Sequence, residues 1–327
     1  MGISLYPAKK IKRLLRQERY PEAFRICNRY FERDCYHTAN IQYLSQCLFE
    51  STLQHFDGDV TPDYLNALLQ ALRYGAVPKV AFSDFFSAYE TFLKKRFQEL
   101  KDPGKVIMIL GTGRNGSTSL AEALKKLPNS LVSHERPPLV YWQDAESQLD
   151  FHLRFSKLSR RYFRFVIDAS HWWLPHINYL KKSIGQIYVI FLYRKHEDTL
   201  KSFIKIKGTG PGSINHWINH NGDYWAKNYW DKCYPNMFDF NNIGSCRSDF
   251  CMAIAKEYCV SKYLTMYNNE AQKHVEDENG ISLTLETLFA NKSKKKLFEF
   301  LDCKFEWCPW HLNMGGAQHS WTQTIFN

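Results

Sequence analysis

Residues 106–127, VIMILGTGRNGSTSLAEALKKL, constrain this chain more than any other stretch. Val106 to Leu110 are five consecutive apolar residues and predict a buried strand. Leu120, Ala123, Leu124 and Leu127 recur at helical spacing and predict an amphipathic helix. Between them lies Gly111-Thr112-Gly113-Arg114-Asn115-Gly116-Ser117-Thr118. A strand, a glycine-rich turn and a helix together aim free backbone N–H groups at an anion. The glycines let the backbone approach that anion without Cβ clashes. Ser117 and Thr118 add hydroxyl donors, and Arg114 adds a planar charged fork suited to phosphate or sulfonate oxygens.

The spacing of Gly111 and Gly116 is that of the nucleotide loop G-x-x-x-x-G-K-[ST], but Ser117 stands where the lysine belongs. That lysine reaches the β- and γ-phosphates of a triphosphate, so its absence argues against ordinary ATP or GTP hydrolysis. The cation has moved to Arg114. The order R-x-G-[ST]-[ST] after a strand resembles the 5′-phosphosulfate loop of sulfotransferases that use 3′-phosphoadenosine 5′-phosphosulfate (PAPS). The resemblance covers about residues 105–327. It implies a donor held by Gly113, Arg114, Asn115, Gly116, Ser117 and Thr118, and released as adenosine 3′,5′-bisphosphate (PAP).

A second anion site must hold the donor's 3′-phosphate. The apolar run IYVIFLY ends at Arg194, and Ser202 follows eight positions later on a predicted helix, 197–206. This resembles the family's Arg…Ser pair, in which the arginine grips two oxygens and the serine donates one hydrogen bond. Read without the resemblance, Arg194 could instead cap Glu197 or Asp198. Residues 283–288 resemble, more loosely, the family's YEDL-like strand, and Gly315-Gly316 its C-terminal loop.

Sulfuryl transfer needs a cation at the leaving oxygen and a base for the acceptor. The resemblance gives Arg114 the first role. Two residues compete for the second. Glu135 follows a predicted short strand, 131–138, that ends at a double proline. It resembles the catalytic glutamate of carbohydrate and tyrosylprotein sulfotransferases. His171, ahead of Trp172-Trp173-Leu174-Pro175, resembles the catalytic histidine of the soluble small-molecule enzymes. Glu135 is the preferred base. Asp168 and Ser170 are second choices as orienting groups, at the end of a strand predicted over 162–167. Residues 168–171 lack the lysine that some relatives carry near this strand end. The bland alternatives pair Glu135 with Arg136 or Arg154 and make His171 a strand-end hydrogen-bonder.

The fold class expected is α/β: a P-loop-type parallel sheet flanked by helices, with an N-terminal all-α helical extension. Residues 1–100 read as paired helices, the last over 82–100, and 101–327 as the sulfotransferase domain. Lys101-Asp102-Pro103-Gly104 marks the boundary. Further elements are a strand over 186–193, a helix over 249–273, a strand over 281–285 and a late helix around Leu297–Leu301.

Between 208 and 245 the chain turns rich in Gly, Asn, Trp and Tyr and reads as a binding lid. Trp217 and Trp225 there, with Trp142, Trp172 and Trp173, are expected to line the acceptor site, since aromatic faces accept flat or cationic groups. Asp223, Asp231 and Asp239 could meet a positive substrate. The soluble form and the extra helices are similar to those of bacterial natural-product sulfotransferases, such as those acting on guanidinium alkaloids like saxitoxin.

The net charge of +10 has three readings: nucleic acid, a membrane surface or a small polyanion. The basic residues are scattered, no nucleic-acid module signature is present, and a polyanionic nucleotide suffices. Nine cysteines without a C-x-x-C spacing read as thiols of a reducing compartment. No apolar run reaches membrane-spanning length and the first residues carry no secretory pattern, so the expectation is a cytoplasmic protein with no membrane partner and no metal. Two other readings stay open: a P-loop small-molecule kinase, with Asp168 as its magnesium ligand, and a non-catalytic nucleotide-binding helical scaffold.

Overall fold

The computed structural model describes residues 6–23, 25–26, 46–50, 52–53, 60–72, 79–138, 140, 146–207, 249–276, 279–288 and 291–304. Its centre is β1 (Lys105–Leu110), the strand foreseen from the apolar run. Period-two alternation sends Val106, Met108 and Leu110 into one hydrophobic layer and Ile107 and Ile109 into another. A strand buried on both faces reads as an unbroken apolar run, which is why this one was visible.

The other strands are β2 (Ser130–His134), β3 (Phe165–Ala169), β4 (Ile187–Tyr193) and β5 (Gly280–Thr284). They form one five-stranded sheet in the order β2-β3-β1-β4-β5, with every pairing parallel. Register aligns Lys105 with Phe165 and Val106 with Ile187. The chain is therefore a mixed α/β protein built on a parallel sheet flanked by helices.

One face of the sheet is covered by α4 (Ser117–Leu124) and α9 (Asn291–Leu301), through Leu120, Ala121, Leu124, Leu297 and Leu301. The other is covered by α5 (Glu146–Ser159), a short 3-10 helix (His171–His176), α6 (Ile177–Ile184) and α8 (Asp249–Glu276), with α7 (His196–Lys207) beside α8. Phe151, Phe155, Ile177, Leu180, Tyr263 and Tyr267 fill that layer. Each such fully buried side chain stabilises the fold by about 1.5–3 kcal/mol.

The N-terminal helices α1 (Tyr6–Arg16), α2 (Pro62–Leu72) and α3 (Lys79–Arg96) add Ile11, Leu14, Leu65, Leu68, Phe85 and Tyr89 to this second layer. In α2 the start signals are explicit: Thr61 Oγ1 accepts from the N–H of Tyr64 at 3.2 Å, Pro62 opens the helix, and Asp63 sits in the positive first turn. Tyr89 stacks on Phe155 at 4.9 Å between ring centroids and shares a 2.9 Å hydrogen bond with Ser159.

Three boundaries differ from expectation. The helix expected over 82–100 runs Lys79–Arg96, because Leu100 turns out of the helix to donate to the carbonyl of Arg161 at 2.7 Å. The strand expected over 131–138 stops at His134, where Glu135 takes a positive φ of 54°. The strand expected over 162–167 occupies Phe165–Ala169: Tyr162 and Phe163 are buried, but as a turn whose N–H groups both donate to Ser159 O. Asp168 consequently lies inside the strand rather than beyond it.

The topology sets where a ligand can sit. From β1 the chain passes through α4 to β2 at one edge, and from β3 it passes through α6 to β4 on the opposite side. Neighbouring strands whose connections leave in opposite directions open a crevice at their carboxyl ends. The crevice lies at the ends of β3 and β1. The lid segment, with Trp217 and Trp225, and also Trp142, lie outside the described residues.

Candidate functional site

The four strands β2, β3, β1 and β4 lie side by side, and a sequence-predicted residue follows each at its carboxyl end: Glu135, His171, Arg114 and Arg194. Strand spacing of about 4.8 Å puts these chain positions along one edge.

The glycine loop is shaped by close packing. A Cβ on Gly111 would overlap the side-chain amide of Asn115. Gly116 has φ 88°, and a Cβ there would come within 2.5 Å of Leu285 Cδ1. Gly113 (φ 82°) and Arg114 (φ 58°) are both left-handed. For a non-glycine residue this conformation costs on the order of 1–2 kcal/mol. Asn115, expected to touch the donor, is 1% exposed, and its Nδ2 donates to Leu192 O on β4 at 2.6 Å. Its side chain ties the loop to the sheet.

The long helix α8 braces the loop from above. Tyr263 donates to Thr112 O at 3.1 Å. The hydroxyl of Tyr267 accepts from the N–H of Gly111 at 3.1 Å and donates to His171 O at 2.9 Å. Burial raises the Tyr267 pKa, so it stays a neutral phenol. Helix α4 begins at Gly116 without a side-chain cap. Among the described residues, the backbone N–H groups of 113–118 have no acceptor. Uncapped N–H groups at a helix start carry partial positive charge.

Arg114, Arg194 and Ser202 meet. Arg114 Nε donates to Ser202 Oγ at 3.4 Å, and Arg194 Nη1 donates to the carbonyl oxygen of Arg114 at 3.0 Å. All three are half-buried. Burial, and then the neighbouring Arg194 guanidinium, lower the Arg114 pKa. Neither arginine forms an ion pair with a carboxylate among the described residues, and Arg194 does not cap Glu197 or Asp198. Two guanidiniums held together without an acid repel one another, and an anion placed between them relieves that.

Glu135 and His171 also meet. His171 Nδ1 lies 3.7 Å from Glu135 Oε1, with side chains 8% and 18% exposed. The N–H of Glu135 donates to Ala169 O at 3.0 Å, which pins its turn to the end of β3. Arg136 and Arg154, the alternative partners of Glu135, are engaged elsewhere: their guanidiniums lie over the rings of Phe155 and Phe86 at 4.1 and 4.3 Å.

Beneath this pair is a buried network that the sequence did not disclose. Asp168 is 1% exposed, and both oxygens are committed. Oδ1 accepts from Ser133 Oγ at 2.6 Å and the N–H of Arg136 at 3.2 Å, and Oδ2 accepts from Trp173 Nε1 at 2.6 Å. Arg136 Nε donates to His152 Nδ1 at 3.3 Å, and His152 Nε2 bonds Pro138 O at 2.7 Å. Accepting at Nδ1 leaves the ring proton on Nε2, so His152 is neutral; burial and the Arg136 charge hold its pKa well below the ordinary value. The network fixes the turn that carries Glu135.

Two expectations change accordingly. Trp173, expected to line the acceptor site, is fully buried, with its indole spent on Asp168. Asp168 is a structural anchor, with neither oxygen facing the crevice alone. Trp172 stays beside the site: it is 6% exposed, its ring lies 5.1 Å from that of His171, and its Nε1 has no partner among the described residues. Ser170 Oγ is likewise buried and unpartnered among them.

The sequence reading also passed over His134, whose Nε2 lies 3.0 Å from Ser117 Oγ and 3.3 Å from Thr118 Oγ1. The available signal was period-two alternation from Val132, which puts residue 134 on the α4 side of the sheet.

Comparison with protein-family models, curated proteins and solved structures gives no match to this chain. Among the described residues, no helix is long and apolar enough to cross a membrane, and no group of three or more His, Cys, Asp or Glu could hold a metal ion.

Proposed function

We propose that the chain is a PAPS-dependent sulfotransferase. The observation that carries this reading is the meeting of Arg114, on the glycine loop, with Arg194 and Ser202, at the end of β4 and on α7, with no carboxylate paired to either arginine among the described residues. The residues fit the donor's two anionic ends. Ser117, Thr118, Arg114 and the backbone N–H groups of 113–118 suit the 5′-phosphosulfate, and Arg194 with Ser202 suits the 3′-phosphate. When bound, the donor supplies an activated sulfuryl group.

The chain's residues then have distinct work. Arg114 neutralises charge at the leaving oxygen. Glu135 takes the acceptor's proton, and His171 beside it orients the carboxylate and stabilises its charge when protonated. Trp172 lines the acceptor side. The acceptor is a small molecule, and the aromatic stretch with Asp223, Asp231 and Asp239 favours a cationic one of the guanidinium type. The same reading takes the sheet as P-loop type, residues 1–100 as an all-α extension, and the location as cytoplasmic.

A kinase reading is less well supported. Its magnesium ligand was to be Asp168, whose oxygens are bonded to Ser133, Arg136 and Trp173. Calorimetry with PAP and with ATP separates the two. PAP is expected to bind tightly and ATP weakly without a magnesium requirement. The reverse order would favour the kinase, and binding of PAP without transfer to any acceptor would favour a scaffold.

A further inference from the structure

His134 is the last residue of β2, and its imidazole reaches across to the first turn of α4. Its Nε2 stands at hydrogen-bond distance from two hydroxyls at once, Ser117 Oγ and Thr118 Oγ1. Those are the two hydroxyl donors that, beside the Arg114 guanidinium, the glycine loop offers to an anion on this reading.

A single ring nitrogen carries either a lone pair or a proton, and a hydroxyl hydrogen rotates to suit its surroundings. With a lone pair on Nε2, the hydroxyl hydrogens turn towards the ring and their oxygens present lone pairs to the loop, which repels an anion. With a proton on Nε2, the ring donates to the hydroxyls instead. Both hydroxyl hydrogens are then free to point at the anion, and an imidazolium adds a positive charge near it. From the neutral tautomer with its proton on Nδ1 this change takes up a proton, and from either tautomer the imidazolium adds its charge, so the protonated ring and the anion at the loop favour one another by linkage.

We infer that His134 is a positioning residue that couples its own protonation to anion binding at the glycine loop, and so makes donor binding pH-sensitive. This rests on reading the loop as the donor's anion site. Among the described residues, ionisable groups stand on each of the elements packed against it. On α4 Glu122 is paired with Lys125 at 2.6 Å. On β3 the carboxylate of Asp168 is tied to Ser133 and Trp173, while the register partner of His134 is Ala169. The loop contributes Arg114, and the chain itself Glu135. A nearby guanidinium opposes a charge on the ring and a nearby carboxylate favours it, and an incoming anion offsets the first and so shifts the balance towards the protonated ring.

The test compares the wild type with His134→Gln, whose amide places an N–H near the Nε2 position without titrating, and His134→Ala, which removes the donor. PAP binding is measured calorimetrically at about pH 6 and about pH 8, spanning imidazole titration, in buffers of different ionisation enthalpy. The ligand's own protonation cancels between proteins. The wild type is expected to take up more protons than H134Q on binding PAP and to lose more affinity at the higher pH. H134Q should bind with little pH dependence beyond the ligand's, and H134A should bind about 10- to 100-fold more weakly. Equal proton uptake and equal pH profiles in wild type and H134Q would overturn the inference while leaving the sulfotransferase reading intact.

Sulfate, which does not titrate over this range, provides the independent arm. The His134 ring-proton NMR signal, assigned by its absence in H134Q, is followed against pH with and without sulfate. Its midpoint should rise in sulfate. If PAP fails to bind but sulfate raises that midpoint, the sulfotransferase reading falls and the coupling stands. If sulfate leaves the midpoint unchanged, the coupling falls.

Discussion

His171 Nδ1 and Glu135 Oε1 are 3.7 Å apart, although their chain positions follow two different strands. At the sequence level these residues were rivals for the role of base. On the proposed function, their proximity makes them one unit, with the carboxylate as proton acceptor and the imidazole as its orienting partner. Glu135→Gln is expected to lower kcat by about 10²–10⁴-fold and to leave PAP affinity within about twofold. His171→Gln should cost less. The double variant should be no slower than E135Q alone, because residues acting as a unit are non-additive. A double variant showing the product of the two single losses would separate their roles.

Arg114 sets function against stability. Its φ of 58° is strained for a non-glycine residue, and its charge faces that of Arg194. Replacing it with glycine relieves both, while Arg194 keeps its bond to the residue-114 carbonyl. We expect Arg114→Gly to unfold in urea at the same or a higher midpoint, with a gain of up to about 1 kcal/mol. Its PAP affinity should fall by about 10- to 100-fold. Arg194→Ala should lose PAP affinity to a similar degree. Equilibrium unfolding and calorimetry on the same preparations check all three. Unchanged PAP binding in both arginine variants would remove the basis of the proposed function.

Gly116 has no such latitude. At φ 88°, with Leu285 Cδ1 2.5 Å from where a Cβ would lie, alanine must either clash or reset the first turn of α4. Gly116→Ala should destabilise by about 1–3 kcal/mol. A double variant, Gly116→Ala with Leu285→Ala, should recover the steric part only. The left-handed strain then remains, and PAP binding should stay impaired.

What the sequence disclosed follows its physics. The strand of residues 106–110, the glycine turn and the helix after it were legible because a doubly buried strand is an unbroken apolar run and the turn needs glycine. Arg194 and Ser202 were singled out through the family resemblance, by their eight-residue separation after a similar run. The start of β3 was not. Tyr162 and Phe163 are as apolar as the strand itself, and only the register of Phe165 on Lys105 shows where pairing begins. Asp168 read as a strand-end acid because nothing local shows that Ser133, Arg136 and Trp173, from 5 to 35 residues away, supply its donors. His134 was hidden for the same reason: its partners lie 16 and 17 positions earlier.

The last prediction concerns acid stability, and it follows from two buried histidines. His176 closes the 3-10 helix at the start of α6. Its Nε2 is buried without a partner among the described residues, and burial lowers its pKa from 6.5 to about 4. His152, buried against the Arg136 guanidinium, is shifted in the same direction. In the folded protein His176 stays neutral until about pH 4, whereas in the unfolded chain it takes a proton below about pH 6.5. The unfolded state therefore binds more protons across this window, and stability must rise with pH through it. Stability should be flat above about pH 6.5 and fall as the pH drops towards 4, with His176 alone accounting for about 3 kcal/mol. Urea midpoints measured across the window test this. In His176→Gln the decline should shrink by about that amount. An unchanged decline would place the proton uptake elsewhere, with His152→Gln as the next variant to examine.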